Sequence, residues 1–159
     1  MKGDPKLIQN LNALLADELT AISQYMVHSE MCNNWGYQEL HEAKEGQAID
    51  EMHHAEWLIE RILFLEGRPV VDKLLPMSFG ATVLEMIKVD QAAEAGAVKA
   101  YNEGIALASE LGDESTADLL VTILKMEEGH IDWAEKQLAQ IEQMGLENYL
   151  SLQIGEEEE

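Results

Sequence analysis

The length, composition and charge of the chain narrow its class before any motif is considered. It has 159 residues, of which 47% are hydrophobic, and carries a formal net charge of −21. The length favours one compact domain over residues 1–159. The charge argues against nucleic acid or anionic lipid as a partner, since both would repel the chain, and it favours cations.

Cys32 is the only cysteine, which excludes a disulfide within the chain and a rubredoxin-type metal knuckle. The first five residues contain no apolar signal region. No apolar run approaches the ~18 residues that a membrane span needs. We therefore expect a cytoplasmic protein with no membrane partner.

The first two predicted elements are long helices joined by a short turn. Asp4 and Pro5 form a helix start, with the aspartate as N-cap and the proline as first helical residue. Apolar residues then recur at helical spacing up to 33–36, where Asn-Asn-Trp-Gly predicts a stop. A second helix is expected over about 37–66, ended by Gly67 as C-cap and a proline just beyond.

A connection at 67–81 separates these helices from two further long ones. Thr82 and Glu85 form a Thr-x-x-Glu capping box, which predicts the start of the third helix. That helix is expected to end at Gly112. Asp113 can then cap a fourth long helix.

The last part of the chain predicts a short helix and completes the topology. The fourth helix should end at about Met144, a fifth should lie within 146–154, and the acidic tail 155–159 should be frayed. Four helices of roughly 28–30 residues would each span ~45 Å. Short turns make helices one and two antiparallel, and likewise three and four. The sequence therefore predicts an all-α protein, an antiparallel four-helix bundle with one long crossover and a short C-terminal helix.

The two halves of the chain carry the same pattern of acidic residues and histidines. Each half has a lone glutamate and, 33 residues later, a Glu-x-x-His motif, and the halves are offset by 76 residues. The i,i+3 spacing places each Glu-x-x-His pair on one helix face. Tyrosine, tryptophan and glycine also recur at this offset, as in Tyr25 and Tyr101, so the chain resembles a duplicated helical hairpin. The six residues are Glu18, Glu51, His54, Glu94, Glu127 and His130.

These carboxylates lie on apolar helix faces, where a charge is costly unless something pairs with it. Glu18 and Glu127 are each surrounded at helical spacing by leucine, isoleucine and alanine, whereas Asp90 and Gln91 leave the face of Glu94 mixed. Two divalent cations would offset four negative charges, and the imidazoles would complete their coordination. Carboxylate with imidazole is the ligand set of dinuclear iron or manganese centres in bundles.

The alternative is a bundle whose charged residues are exposed or ion-paired. That interpretation suits a single Glu-x-x-His, which many ordinary helices contain, but not two in register with two lone glutamates. His28 and His41 belong to no such motif, so we interpret them as exposed histidines or as buried histidines with hydrogen-bond partners. His53 leaves its helix ~100° away from His54 and is not a ligand of the same kind.

Several segments are similar to one family over nearly the whole chain. The opening Met-Lys-Gly-Asp and the stretches 62–67, 127–133 and 144–150 resemble bacterioferritins, which have the ferritin-like fold. The resemblance implies that the six residues bind a di-iron ferroxidase centre. It also implies that Tyr25 donates an electron or a hydrogen bond beside that centre, and that Trp133 is a nearby tryptophan. In detail, Glu51 and Glu127 would bridge the irons, Glu18 and Glu94 would be terminal, and His54 and His130 would give one nitrogen each.

The resemblance also implies an activity and an assembly. The protein would oxidise Fe(II) to Fe(III) with dioxygen or peroxide, as a ferroxidase, and store the ferric mineral in a cage of 24 subunits. The cage would consist of 12 dimers, each with one haem b on its two-fold axis, ligated by Met52 from both subunits. Met52 breaks the internal repeat, because the residue 76 positions later is Glu128. A reducing ferredoxin is a further implied partner.

Four positions depart from the family pattern. Gly46 and Gln47 stand where many bacterioferritins have histidine and glutamate on the cavity wall, so Asp50 alone remains of that inner iron site. Leu58 replaces a tyrosine, and Arg68 replaces an apolar residue that helps to dock the ferredoxin. We therefore expect mineral growth to be slow.

Two other classes of function are left open by the residues alone. An electron-transfer haem protein would use Met52 but would leave six buried ligands without a role. A haem-free di-iron peroxidase or oxidase outside a cage would lack its usual rubredoxin domain and would not need the C-terminal helix.

Overall fold

A computed structural model describes residues 1–155, and within them the chain forms five helices. The all-α class, the four long helices and the short C-terminal helix are thereby confirmed. The predicted frayed tail lies, apart from Gly155, outside the described residues. Within that described part, no helix is long and apolar enough to cross a membrane. The helices are α1 Pro5–Asn34, α2 Gln38–Phe64, α3 Val83–Glu110, α4 Glu114–Met144 and α5 Leu146–Ser151.

The predicted caps begin three of the long helices. Asp4, Thr82 and Asp113 each accept a hydrogen bond from a backbone N–H in the first turn of α1, α3 and α4. Each bond satisfies a donor that the helix itself leaves unpaired. In the capping box, Glu85 accepts from the N–H of Ala81 at 2.8 Å, one residue before the cap.

The end of α2 differs from the prediction. The left-handed residue there is Glu66, with φ of 60°, and not Gly67. Gly67 instead donates its N–H to the Ile62 carbonyl at 2.9 Å. A Cβ on Gly67 would lie 2.7 Å from Cγ2 of Ile8, so the glycine serves the close approach of α1 to this turn.

Contacts between helices establish the topology. The turn between α1 and α2 is only three residues long, so these helices are antiparallel. Gln24, late in α1, donates to Asp90, early in α3, at 2.8 Å. Arg61, at the end of α2, pairs with Asp113, at the start of α4, at 3.0 Å. The helices α2 and α3 therefore run in the same direction, and residues 65–82 form the long crossover between them.

The apolar core is divided into two clusters along the bundle. One is built around residues such as Leu11, Leu58 and Leu120, and the other around Ile87 and Tyr149. On α1, the fully buried members of the first cluster end at Leu15, and Cys32 belongs to the second cluster. Buried α1 residues between these two positions, such as Glu18 and Tyr25, form a separate layer. That layer contains the buried polar residues described next.

Candidate metal centre

The structure brings the six residues of the repeat together between the two apolar clusters. Every one of them is buried, with His130 the most accessible at 8% of its surface. The helices α1 and α3 contribute one glutamate each. The helices α2 and α4 contribute one Glu-x-x-His pair each, because residues three apart share the inward helix face. The mixed sequence around Glu94 does not prevent its burial.

Their donor atoms fall into two overlapping groups. Within each group, one carboxylate oxygen or imidazole nitrogen per residue lies within 4.8 Å of all the others. Glu51 and Glu127 belong to both groups, which is the arrangement expected of ligands that bridge two ions. The two groups are Glu18, Glu51, His54 and Glu127, and Glu51, Glu94, Glu127 and His130.

Several of these atoms converge without bonding to one another. Nδ1 of His54 lies 2.9 Å from Oε1 of Glu127, yet neither atom makes a hydrogen bond within the described residues. Five of the six residues hold such a buried, unbonded atom. Each costs about 1–3 kcal/mol if it stays unsatisfied. Atoms that approach closely but point at a common centre fit a cation placed between them.

The electrostatics of the centre are those of crowded, buried charges. Burial, followed by the adjoining Glu94, raises the pKa of Glu127 to about 11. Burial and the neighbouring Glu51 raise the pKa of Glu18 well above its usual range. Burial alone would lower the pKa of His54, but Glu127 and two other carboxylates hold it at about 12. The metal-free centre therefore retains protons, which binding cations would displace.

Two tyrosines close the centre from opposite halves of the chain. Tyr25 donates its hydroxyl to Oε1 of Glu94, and Tyr101 donates to Oε1 of Glu18. Burial and these carboxylates raise the pKa of both phenols well above the usual value, so both act as neutral donors. Tyr25 was a predicted site residue. Tyr101 was not predicted as a site residue. The only indication in the sequence was that it lies 76 residues after Tyr25 in the repeat.

The outer nitrogens of the two histidines have different partners. Nε2 of His130 lies 2.9 Å from Oδ2 of Asp50, whereas Nε2 of His54 lies 3.2 Å from Sδ of Met126. Positions 50 and 126 are equivalent in the repeat. Such partners fix the ring orientation so that Nδ1 faces the carboxylates. The sequence pattern gave no indication of either contact.

A buried ion pair adjoins the centre. The ammonium of Lys44, at 1% exposure, lies 2.7 Å from Oδ2 of Asp90. Asp90 also accepts from Gln24 and contacts Nδ1 of His28 at 2.9 Å. The ammonium also lies 4.7 Å from the ring centroid of Trp133. His28 is thus a satisfied core histidine, and Asp90, which made the face of Glu94 look mixed, is paired.

A cavity of about 310 Å³ leads away from the carboxylates. All four glutamates of the centre line it, and it extends between α1 and α3 to Leu75 and Pro76 in the crossover. Asp17 also lines this cavity. The cavity offers a small cation a path to the buried atoms along partly acidic walls.

Met52 is the residue after Glu51 on α2, so its side chain leaves the helix ~100° away from that of Glu51. It is 42% exposed, and Ile49 on the same helix and Met26 on α1 are also exposed. We call these three exposed residues the Met52 face. Apolar side chains that form a contiguous patch on a protein surface often mark a contact with a partner molecule.

The positions that depart from the bacterioferritin pattern have distinct surroundings. Gly46 is exposed, and a Cβ added there would meet no atom within 4 Å. Gln47 is buried, and its side-chain oxygen accepts a hydrogen bond from Lys44 at 3.2 Å. Leu58 is fully buried in the core, and Arg68 is exposed.

The fold and this centre define a class: four-helix bundles that hold carboxylate and imidazole ligands in register in the core. Comparison with known proteins supports this classification. Residues 8–144 match the model of the ferritin-like domain. The bacterioferritin of Mycobacterium leprae is 42% identical over 149 residues, covering 94% of each chain. That of Brucella melitensis is 40% identical over 94% of this chain and 92% of its own. The bacterial ferritin of Synechocystis is 41% identical over 97% of this chain and 99% of its own. The chain belongs to the bacterioferritins within the ferritin-like family.

Proposed function

We propose that this protein stores and detoxifies iron as a single ferritin-like domain in the cytoplasm, oxidising Fe(II) to Fe(III) at the centre described above. The observation that carries the proposal is the convergence of six buried donors in two groups that share Glu51 and Glu127. The names of the related proteins support the same function.

The residues of the centre divide into roles. Glu51 and Glu127, which belong to both donor groups, would hold both irons, and each iron would also be held by one terminal glutamate and one Nδ1 nitrogen. Hard, anionic carboxylates stabilise Fe(III) over Fe(II), so they would favour oxidation of bound Fe(II), with dioxygen or peroxide as the electron acceptor. Protons held by the crowded carboxylates and imidazoles leave as Fe(II) enters. Tyr25, whose hydroxyl donates to Glu94, would orient that carboxylate and would give the centre an electron or a hydrogen bond. The terminal pairs are Glu18 with His54 and Glu94 with His130.

An anaerobic Fe(II) titration of the metal-free protein tests the centre. We expect saturation near two irons per chain and fast oxidation when oxygen is added. Glu18→Ala and Glu127→Ala should each abolish the fast phase in stopped-flow absorbance. His53→Ala, an exposed histidine on the same helix, is the matched control and should leave it unchanged. Unaltered oxidation in either glutamate variant would refute the assignment.

The Met52 face supports the second part of the proposal. We propose that it pairs with the same face of a second subunit around one haem b, which Met52 of each subunit would hold. Twelve such dimers would form a 24-subunit cage. Sizing should give a mass near 24 times the 17.8 kDa of the chain. Met52→Leu should lose haem and keep the ferroxidase phase; an unaltered haem spectrum in this variant would remove Met52 as ligand.

We propose a reducing ferredoxin as the partner for iron release. The exposed Arg68 would add a positive charge to the surface of this protein on which the ferredoxin docks. The two alternative functions fit less well. An electron-transfer haem protein has no use for the six converging donors. A di-iron oxidase outside a cage does not explain the exposed Met52 face. That alternative would be supported if the purified protein had the mass of a dimer and not of a cage.

A further inference from the structure

A third group of metal-ligand atoms lies outside the centre, on the surface of the α1–α2 hairpin. Glu30 on α1 and His41 and Glu45 on α2 each offer one donor atom, and these atoms lie within 4.8 Å of one another. His41 and Glu45 are one turn apart, with Nε2 to Oε2 at 3.3 Å. Neither half of the 76-residue repeat predicts this group.

The ring of His41 is held in one tautomer. Its Nδ1 lies 3.0 Å from the main-chain oxygen of Ser29, and a carbonyl oxygen can only accept a hydrogen bond. The Ser29 hydroxyl donates to the main-chain oxygen of His41 at 3.0 Å, so it too can only accept from Nδ1. The proton of the neutral ring is therefore on Nδ1, and the lone pair is on Nε2, which faces the carboxylates.

This arrangement lacks a positive charge. Within residues 1–155, neither Glu30 nor Glu45 has a lysine or arginine at ion-pair distance. A lone pair and two carboxylates at this spacing repel one another unless a cation lies between them. A histidine that donates one N–H to a backbone carbonyl and points the other nitrogen at carboxylates has the outer contact typical of metal-binding histidines.

We propose that Glu30, His41 and Glu45 bind one first-row divalent cation, such as Zn(II), Co(II) or Fe(II), at a site separate from the di-iron centre. One imidazole nitrogen and two carboxylate oxygens suit such ions, and water fills the remaining positions. The ion joins α1 to α2 near their shared turn. A proton on Nε2 is the competing occupant, and it would pair with the carboxylates without any metal. The proposal does not depend on the ferroxidase function.

The test uses assembled protein carrying Glu18→Ala and Glu127→Ala, which removes ligands of the buried centre. Equilibrium dialysis with Co(II) should show one ion per chain more than the same protein carrying His41→Ala. His53→Ala is the matched control on the same helix and should retain that ion. Zn(II) bound by the His41-containing protein should show one imidazole nitrogen at ~2.0 Å in X-ray absorption.

Equal Co(II) binding by the His41→Ala and His53→Ala proteins would overturn the proposal. A bound zinc without imidazole in its coordination would do the same. Glu45→Gln preserves shape while removing one charge, so it should weaken Co(II) binding at least tenfold without unfolding the hairpin. If Glu45→Gln binds as the parent does, the site does not exist.

Discussion

Adding Zn(II) to the metal-free protein is expected to raise its melting temperature by roughly 10–20 °C. The centre contains five buried polar atoms without hydrogen-bond partners. At about 1–3 kcal/mol each they cost about 5–15 kcal/mol, as much as the whole stability of a typical domain. Ions that bind only the folded state contribute ~2.7 kcal/mol per site at a hundredfold excess over Kd. Two sites give about 5 kcal/mol, and each kcal/mol shifts a chain of this length by about 2–4 °C.

Differential scanning calorimetry of chelated and Zn(II)-loaded protein measures this shift. The control carries Glu18→Ala and Glu127→Ala together. Its metal-free form should melt no lower than the metal-free parent, because two buried carboxyl groups with unbonded oxygens are gone, and it should gain much less from Zn(II). The reasoning fails if the parent melts at one temperature with and without metal, or if the control gains as much as the parent.

Three further perturbations have defined outcomes. Lys44→Met should lower the free energy of unfolding by about 3–5 kcal/mol in urea denaturation, because Asp90 loses its buried cation. The control Lys99→Met, at an exposed lysine, should have almost no effect. Burial would raise the pKa of Asp113, but Thr116 and Arg61 hold it below the usual value. The stabilisation relative to Asp113→Asn should therefore be complete above pH ~4 and disappear as the pH falls through the folded-state pKa; a difference independent of pH would contradict this. Gly46→His, which fits without a clash, should speed the slow mineral phase beside Asp50 and leave the initial oxidation unchanged in stopped-flow absorbance.

The fold could be predicted because its determinants are local. Asp4, Thr82 and Asp113 mark helix starts by residue type, and apolar spacing fills the helices between them. The convergence of the six donors could also be predicted. Helices of similar length with equivalent glutamates and Glu-x-x-His pairs bring these residues to one level of the bundle.

The remaining contacts depend on distances between helices, which no spacing within a helix reports. Lys44 pairs with Asp90 across 46 positions, and nothing in the sequence around either residue indicates a buried ion pair. Tyr101 was visible only as a repeat of Tyr25. Glu66, and not Gly67, adopts the left-handed conformation at the end of α2. Gly67 is required instead by the close approach of Ile8, which is a contact between helices that the local sequence does not report.

The tyrosine bonds carry a consequence for the history of the chain. Tyr25 of the first hairpin bonds Glu94 of the second, and Tyr101 of the second bonds Glu18 of the first. Neither hairpin contains the partner of its own tyrosine, so the two interlock by reciprocal exchange. A single ancestral hairpin could have formed the same arrangement by pairing with an identical copy about a two-fold axis. Joining two such copies through the crossover would keep that exchange, and equivalent positions such as Met52 and Glu128 now hold different residues.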